Sequence, residues 1–335
     1  MSEITYSFII PVYNRPEEIK ELLESFTAFK TEIPFEIVIV EDGSDNKSDS
    51  VIKLYENHLD ISYYYKTNSG PGDSRNYGML KAKGNYFIIL DSDCILPNHY
   101  LNAVDKSLKT HFVHCFGGPD AAHKSFSKLQ KAIDFSMTSF ITTGGIRGSK
   151  RSVNKFQPRS FNMGLSKEAF LKTKGFGNIH PGEDPDLTIR LWRLGFDTKL
   201  IPEAFVYHKR RISWRKFYKQ VNKFGLVRPI LNKRYPETSK LTYWLPTCFM
   251  LGLVLAIILT FFECYIPLSA YGFYFALAFV LALAKTKHIG VAILVMFAIC
   301  IQFFGYGIGF LKSTWLVGIL SKSPERIFPN LFFKV

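Results

Sequence analysis

Short apolar segments that alternate with amphipathic ones constrain the fold of this chain most. The apolar segments cover residues 6–11, 35–40, 61–65 and 86–90. Helical patterns separate the first three, over about residues 16–29 and 46–58. Nearly continuous apolar strands between amphipathic helices are typical of a parallel sheet that is covered on both faces. The sequence therefore predicts an α/β domain.

Polar residues follow three of these strands at the point where each strand ends. Asn14 follows the first strand, Asp42 the second, and Asp91 the strand over residues 86–90. In open α/β sheets, ligands bind beyond the carboxyl ends of the strands. We therefore expect the three side chains to lie together at one ligand-binding crevice.

Two carboxylates, Asp91 and Asp93, flank Ser92 directly after a buried strand. Carboxylate oxygens are hard ligands, and with substrate phosphates they complete the coordination shell of Mg²⁺ or Mn²⁺. A solvated turn is the alternative for an Asp-x-Asp that stands alone. Here further motifs accompany the pair, and we expect a divalent cation as cofactor.

Five short motifs carry a resemblance to a known family. They are Pro11-Val-Tyr-Asn14, Glu41-Asp-Gly-Ser44, Gly70-Pro-Gly-Asp-Ser-Arg-Asn76, Asp91-Ser-Asp93 and Gly182-Glu-Asp-Pro-Asp-Leu187. In order and approximate spacing, this set resembles the family 2 glycosyltransferases over about residues 4–210. The resemblance implies a catalytic domain of the GT-A fold that takes a nucleotide sugar as its donor.

The resemblance assigns most of the motif residues to this donor. Asp42 matches the residue that accepts a hydrogen bond from the N3–H of uracil, a role compatible with turn formation before Gly43. Arg75 matches a basic residue that holds the nucleotide and its phosphates, and a plain surface arginine is the alternative. The other residues expected at the nucleotide sugar are Pro11, Tyr13, Asn14, Asp91 and Ser92.

The same resemblance implies a set of metal ligands. Asp93 is expected to bind the cation directly, whereas Asp91 is divided between the ribose and a metal-bound water. His208 ends a predicted strand, at a place where several GT-A enzymes have a third metal ligand. Contact with phosphate and a purely structural role stay open for His208.

Asp184 matches the general base of the family. A carboxylate on the face of the sugar opposite the leaving group takes the proton of the attacking hydroxyl, and direct attack inverts the anomeric centre. Glu183 is expected to contact the acceptor or the donor sugar. Asp186 is expected to cap the helix predicted over residues 187–194.

These residues predict a metal-dependent, inverting glycosyltransferase for glycan assembly. It would move one sugar from a nucleotide-diphosphate sugar, with a UDP-sugar favoured, to a lipid-linked or membrane-proximal acceptor. The Gln-x-x-Arg-Trp motif of processive synthases is missing from the sequence, which favours single-sugar transfer. Direct transfer to a polyprenyl phosphate and an inactive nucleotide-sugar sensor or scaffold are the alternatives. A nucleotidyltransferase would more commonly have a glycine-rich basic loop after its first strand.

The stretch over residues 241–320 is almost free of charge. It predicts a transmembrane region of about three helices, over residues 241–262, 267–284 and 289–311. With three spans the tail lies outside, yet the basic residues after the last span favour the inside. A short fourth or re-entrant segment over residues 305–320 stays open as the explanation.

A basic flank over residues 209–240 precedes the first span and supplies most of the net charge of +14. By the positive-inside rule, this flank and the domain before it are cytoplasmic, at the inner membrane. Aromatic and basic residues over 213–226 predict an amphipathic helix at the membrane interface; a helix packed on the domain is the alternative. We expect the basic flank to bind anionic lipid headgroups, and we expect no binding of nucleic acid.

The predicted domain organisation has four parts. Residues 1–212 form the catalytic domain, with a nucleotide-binding half over 1–116 and an acceptor half over 117–212. An interfacial segment (213–240), the transmembrane region (241–320) and a tail (321–335) follow. A glycine-rich basic loop over residues 144–151 is a candidate lid over the donor, and a plain surface loop is the alternative. Homo-oligomerisation stays open.

Overall fold

The structure is a computed structural model that describes residues 3–121, 126–144, 156–208 and 213–333. The chain divides into two compact units. The first comprises Met1–His123, Lys150–His208 and Phe332–Val335, and the second Lys124–Ser149 and Lys209–Leu331. The segment 124–149, which was assigned to the acceptor half, thus groups with the second unit. The candidate lid after Gly144, and the basic residues 209–211, lie outside the described residues.

The secondary structure alternates between strands and helices in the first unit and is helical in the second. The strands are β1 (Tyr6–Val12), β2 (Phe35–Asp42), β3 (Ile61–Lys66), β4 (Tyr86–Leu90), β5 (Cys94–Ile95), β6 (Cys115–Gly117), β7 (Asp120–Ala121), β8 (Asn162–Ser166), β9 (Thr198–Leu200) and β10 (Val206–His208). The helices are α1 (Pro16–Thr27), α2 (Asp49–Ile52), α3 (Pro71–Lys81), α4 (Tyr100–Thr110), α5 (Lys128–Thr138), α6 (Phe140–Thr143), α7 (Lys167–Thr173), α8 (Glu183–Arg193), α9 (Trp214–Arg234), α10 (Leu245–Thr260), α11 (Ile266–Thr286), α12 (Ile289–Ser313) and α13 (Pro324–Ile327).

A seven-stranded sheet in the order β3-β2-β1-β4-β8-β6-β9 forms the centre of the first unit. The first four strands in this order are parallel, β8 is antiparallel to both of its neighbours, and β9 is parallel to β6. A second sheet of three short strands has the order β5-β10-β7. The predicted mostly parallel α/β fold is therefore confirmed.

Both faces of the large sheet are buried, as the continuous apolar strands predict. Phe8 and Ile10 point into a cluster on one face, whereas Ile9 points into a second cluster on the other. Helices α1 and α4 supply the first cluster, with Leu22 and Leu101 among its members. A strand that is buried on both sides cannot alternate polar and apolar residues, which explains the pattern of the sequence.

Two helix predictions differ from the structure. The helix predicted over residues 46–58 is only the short α2, and turns complete the segment. The helix predicted over 187–194 begins earlier, at Glu183, because Gly182 turns the chain with a φ of 131°. Glu183 and Asp184 thus lie in the first helical turn, where negative charge interacts favourably with the helix dipole.

Three helices of the second unit are long and apolar enough to cross a membrane, by length and composition. They comprise Leu241–Thr260, Ile266–Thr286 and Ile289–Ile319. The first includes a turn before α10, and the last includes a wider helical turn after α12. Their positions agree with the three predicted spans.

Candidate active site

The loops at the carboxyl ends of β1 and β2 are joined by Asn14. Its backbone N–H donates to Ser44 Oγ at 2.7 Å, and its Oδ1 accepts from the backbone N–H of Asn46 at 2.9 Å. The residue adopts a φ of 54°, a left-handed conformation that asparagine tolerates better than most residues. Asn14 therefore shapes the crevice from its edge.

Asp42 ends β2 as predicted, and its carboxylate is buried. Oδ1 accepts from Lys66 Nζ at 2.8 Å and from the backbone N–H of Ser69 at 2.9 Å. Oδ2 accepts from the backbone N–H of Gly70 at 2.9 Å. The sequence alone did not indicate that Asp42 also organises the loop before α3.

The other residues expected at the nucleotide lie in the same loops. Tyr13 follows β1 with 51% of its surface exposed. Pro11 pairs with Val40 inside the sheet, and Ser92 is buried after β4. The structure thus brings the motif residues of β1, β2 and β4 to one edge of the sheet.

Asp93 and His208 are in contact. Nε2 of His208 lies 3.0 Å from Oδ1 of Asp93 and 3.9 Å from Oδ2 of Asp91. The contact arises because β10 pairs antiparallel with β5, which sets His208 opposite Cys94. The Phe161 ring stacks on the imidazole with centroids 4.8 Å apart and fixes its orientation. The three predicted metal ligands therefore converge.

Arg15 is a residue of this cluster that sequence reasoning missed. Its NH1 lies 2.5 Å from Asp93 Oδ2. Burial by itself raises the pKa of Asp93, but the charges of His208 and Arg15 outweigh it and hold the pKa well below its usual range. Arg15 directly follows a predicted motif, which is the one signal that the sequence offered.

Arg75 joins the two halves of the site. The guanidinium is buried, donates from NH2 to Asp91 Oδ1 at 2.7 Å, and donates from NH1 to Glu183 Oε1 at 3.3 Å. The predicted surface arginine is therefore excluded as an alternative. Arg75 places the carboxylates after β4 and the first turn of α8 beside each other.

Glu183 is held by a second residue that sequence reasoning missed, His180. Nδ1 of His180 lies 2.7 Å from Glu183 Oε1. Burial raises the pKa of Glu183, but the neighbouring His180 and Arg75 lower it by more than burial raises it. The resulting pKa of Glu183 is about 2. Glu183 is therefore a fixed negative charge at neutral pH.

Asp184 differs from its neighbour because its pKa is raised to about 6. Burial is the largest cause, the charge of Glu183 adds to it, and Arg75 together with hydrogen bonds from Ser160 opposes it. Oδ1 of Asp184 is buried without a hydrogen-bond partner among the residues that the structure describes. Two adjacent carboxyl groups with separated pKa values are typical of an acid–base site.

Asp186 does not cap α8, contrary to the sequence prediction. Its Oδ2 accepts from Nε and NH2 of Arg190 at 3.0 and 2.8 Å, one turn further along the helix. Arg190 in turn donates to the carbonyl of Gly175 at 2.7 Å. Asp186 points into this structural network because α8 begins at Glu183, which places residue 186 inside the helix.

The fold and the crevice define a domain of the GT-A class. A solved structure of similar architecture is the mannosyltransferase PcManGT from Pyrobaculum calidifontis, in complex with GDP-Man and Mn²⁺. It superposes with a TM-score of 0.56 at 15% sequence identity, over 96% of this chain and 89% of that one. The likeness establishes the fold.

Residues 7–171 match the model of glycosyl transferase family 2, and the domain over these residues belongs to this family. An uncharacterized glycosyltransferase of Rickettsia typhi is 37% identical over 34% of this chain and 38% of that protein. One from Haemophilus influenzae is 27% identical over 62% of this chain and 70% of its own length. The poly(ribitol-phosphate) β-N-acetylglucosaminyltransferase TarS of Staphylococcus aureus is 37% identical over 26% of this chain. The chain covers 38% of the Rickettsia typhi protein and 16% of TarS.

Proposed function

We propose that this chain transfers one sugar, with inversion, from a nucleotide-diphosphate sugar to a lipid-linked or membrane-proximal acceptor. The observation that carries the proposal is the pairing of a cation site with a separate, high-pKa carboxylate. The proposed cation site consists of Asp93, Asp91 and His208, and the carboxylate of raised pKa is that of Asp184. Arg75 lies between them and joins them through Asp91 and Glu183. A UDP-sugar is the favoured donor.

Asp93, Asp91 and His208 are the residues that would hold Mg²⁺ or Mn²⁺. Asp93 and His208 offer ligand atoms within 4.8 Å of one another, and two carboxylates with one imidazole suit Mn²⁺ well. Cys94 lies in the same group, but burial raises the pKa of its thiol, which therefore stays protonated and is a poor ligand. A bound divalent cation would neutralise the negative charge of the departing diphosphate.

Arg75 and Arg15 support the donor side. Both guanidiniums carry fixed positive charge next to Asp91 and Asp93, where the diphosphate has to be bound. Arg75 is buried and therefore keeps one orientation, so that it stabilises developing negative charge without rearrangement. Tyr13 and the Asp42 loop supply the surface for the nucleoside.

Asp184 is the base that removes the proton of the acceptor hydroxyl. A pKa of about 6 leaves it ionised at neutral pH while it remains basic enough to accept a proton. Its unpartnered Oδ1 is the acceptor atom, whereas the low pKa of Glu183 suits that residue for holding Arg75 and a sugar hydroxyl. One base and no protein nucleophile lead to inversion.

The apolar helices support an acceptor at the membrane. A polyprenyl chain cannot leave the bilayer cheaply, since each exposed CH₂ costs about 0.8 kcal/mol. An enzyme that is anchored by apolar helices on the cytoplasmic face reaches such a lipid without extracting it. The name of TarS describes transfer to poly(ribitol phosphate), which is also an acceptor of the cell envelope polymer type.

The test is a donor panel with membranes that contain the full chain and Mn²⁺ or Mg²⁺. We expect release of a nucleoside diphosphate from one donor, and a product of inverted anomeric configuration. Two parallel assays distinguish the two candidate lipid acceptors. One supplies polyprenyl phosphate alone and the other supplies a polyprenyl-diphosphate sugar, and we expect transfer in the second assay. Failure of every donor, or a retained configuration, would contradict the proposal.

A further inference from the structure

The end of the chain belongs to the first unit, although the three apolar helices precede it. The backbone N–H of Phe333 donates to the carbonyl of Asn178 at 3.0 Å, and Phe332 forms an antiparallel bridge with Ile179. The Phe333 ring lies against Gly70, where an added Cβ would be 2.3 Å from the ring. The chain thus leaves the first unit after β10 and returns to it after Leu331.

This return restricts the path through a membrane. The first unit is a folded body with charged residues over its surface, and it stays on one side of the bilayer. A chain that leaves this folded unit and returns to it on the same side must cross the bilayer an even number of times. Three crossings, one for each apolar helix, are therefore incompatible with the bridge between Ile179 and Phe332.

Helix α12 is the helix whose surroundings are incompatible with a crossing. Helix α9 runs beside it: Phe217 and Val221 share a cluster with Ala298, and further along Lys233 Nζ donates to the carbonyl of Val317 at 3.0 Å. The basic residues of α9 are Arg215, Lys216, Lys219, Lys223, Arg228, Lys233 and Arg234. If α12 crossed the bilayer, α9 would carry several of these charges into the hydrocarbon core, which is very unfavourable.

The first half of α12 is covered by α5. Ala132 and Phe135 of α5 share a cluster with Val291, Val295 and Ile299 of α12. The chain belongs to the first unit on both sides of the segment that contains α5. Helix α5 also carries polar residues, Lys128 and Lys131 among them. The same argument therefore applies along the whole length of α12.

The exposed side of α12 is a single apolar stripe. Its members in α12 are Ile293, Phe297, Ile308 and Leu311, and Trp315 and Ile319 continue it in the wider helical turn that follows; all six are between 39% and 63% exposed. Their spacings of three, four and eleven residues place them on one face of a helix. Lipid contacts this apolar face along its full length when α12 lies in the membrane surface with its other sides covered by protein.

We propose that the chain crosses the membrane twice, through α10 and α11, and that α12 lies along the bilayer surface. The apolar stripe of α12 contacts lipid acyl chains, and its other sides are covered by α5 and α9 together with the adjoining parts of α10 and α11. Glu263, in the turn between α10 and α11, then lies on the side of the membrane opposite to the first unit. Lys285 and Lys312, in the last turns of α11 and α12, lie on the side of the first unit, in agreement with the positive-inside rule.

Cysteine labelling in cells that express the full chain tests this topology. Cys264 is a native reporter in the α10–α11 turn, and the exposed Lys322→Cys reports on the segment after α12. Lys109→Cys, exposed on the first unit, is the matched control. Cys248 and Cys300 are replaced by Ser in all variants, and Cys264 is also replaced by Ser in the Lys322→Cys and Lys109→Cys variants, so that each variant carries one reporter thiol. A membrane-impermeant maleimide is applied before and after permeabilisation.

Two crossings predict that Lys322→Cys is labelled under the same condition as Lys109→Cys, and that Cys264 is labelled under the opposite one. Labelling of Lys322→Cys together with Cys264 would show a third crossing and overturn the proposal. Labelling of all three under one condition would show that the hairpin does not cross, with the same consequence. Fluorescence of a green fluorescent protein fused after Val335 checks the side of the tail without cysteine substitutions.

The depth of α12 supplies an independent test in reconstituted vesicles. A fluorophore at Ile293→Cys near the start of α12 is compared with one at Phe304→Cys, close to the centre of the apolar stretch. Quenching by lipids labelled at known depths should place both probes equally deep. A crossing helix would place position 304 about 16 Å deeper, at ~1.5 Å per residue, and this result would overturn the proposal.

Discussion

His208 Nε2 lies 3.0 Å from Asp93 Oδ1, although the two residues are far apart in the sequence. Three-residue β10 and two-residue β5 produce the contact, since their antiparallel pairing sets His208 opposite Cys94. The carboxylate and the imidazole are thereby fixed before any ligand arrives. Such preorganisation is what a cation site requires, because the ligands need not rearrange upon binding.

Loss of one carboxylate should therefore remove the metal. Asp93→Asn is expected to abolish Mn²⁺ binding, measured by electron paramagnetic resonance, and to abolish sugar transfer, since the amide no longer neutralises the cation. Chelation of the wild-type protein with EDTA should have the same effect on transfer. The exposed Asp60→Asn is the control with the same chemical change. Unchanged Mn²⁺ binding by Asp93→Asn would exclude Asp93 as a ligand.

The pH dependence of turnover should follow Asp184. With its pKa raised to about 6, the residue is ionised above this pH and accepts a proton, and protonation below it removes the base. The turnover number at saturating donor should be flat above pH 6 and fall about tenfold per pH unit below it. Glu183, with a pKa of about 2, stays ionised over this range and does not contribute. A rate that is constant between about pH 5 and 7 would contradict the role of Asp184.

The contact between Gly70 and Phe333 should be needed for nucleotide binding. Gly70 has a φ of 96°, and its N–H donates to Asp42. Gly70→Ala adds a Cβ that collides with the Phe333 ring, so the loop must shift and nucleotide affinity, measured by calorimetry, should fall. Gly195→Ala is the matched control, because Gly195 has a φ of 80° with open space around its Cα. An equal loss of affinity in both variants would show that backbone strain alone explains the effect.

Charge reversal on α9 should weaken transfer on anionic membranes. Arg215, Lys216 and Lys219 are exposed, and each basic residue near an anionic surface contributes about 1 kcal/mol. Three such contributions amount to about 3 kcal/mol, so their joint replacement by Glu should lower the ratio of transfer on anionic to neutral vesicles by about 100-fold.

The control for this reversal is the joint replacement of Lys30, Lys53 and Lys106 by Glu. These residues are exposed on the first unit, so the change in net charge is the same. If both triple variants lowered the ratio equally, net charge rather than the position of α9 would be responsible.

The strands and the edge of the sheet could be predicted because their signal is local. Burial on both faces forces apolar runs such as residues 86–90, and the carboxyl ends of parallel strands meet at one edge. The positions of Asp42, Asp91 and Asp93 followed from these two facts. Arg15 was not predicted because only the folded chain brings it within reach of Asp93, and His180 was not predicted because it lies three residues before Glu183, outside every motif.

The number of apolar helices was predicted, but not the surroundings of the last one. Hydropathy sums over all faces of a helix, and α12 is apolar on both its exposed stripe and the face that packs against α5 and α9. A helix of this kind has the same hydropathy whether lipid or protein surrounds it. The bridge between Ile179 and Phe332 involves only two short segments, and no periodic sequence pattern predicts such a contact.

The turnover of Asp184→Asn, compared with its affinity for the donor, tests the account most directly. The amide keeps the shape of the side chain and removes the base, so turnover should fall by about 10²–10⁴ while the affinity for the nucleotide sugar stays unchanged. Asp186→Asn, two residues along the same helix, loses the ion pair with Arg190 and should lower the melting temperature while the folded enzyme keeps its turnover. Turnover of Asp184→Asn near the wild-type value, or a matching loss of donor affinity, would contradict the assignment of Asp184 as the base.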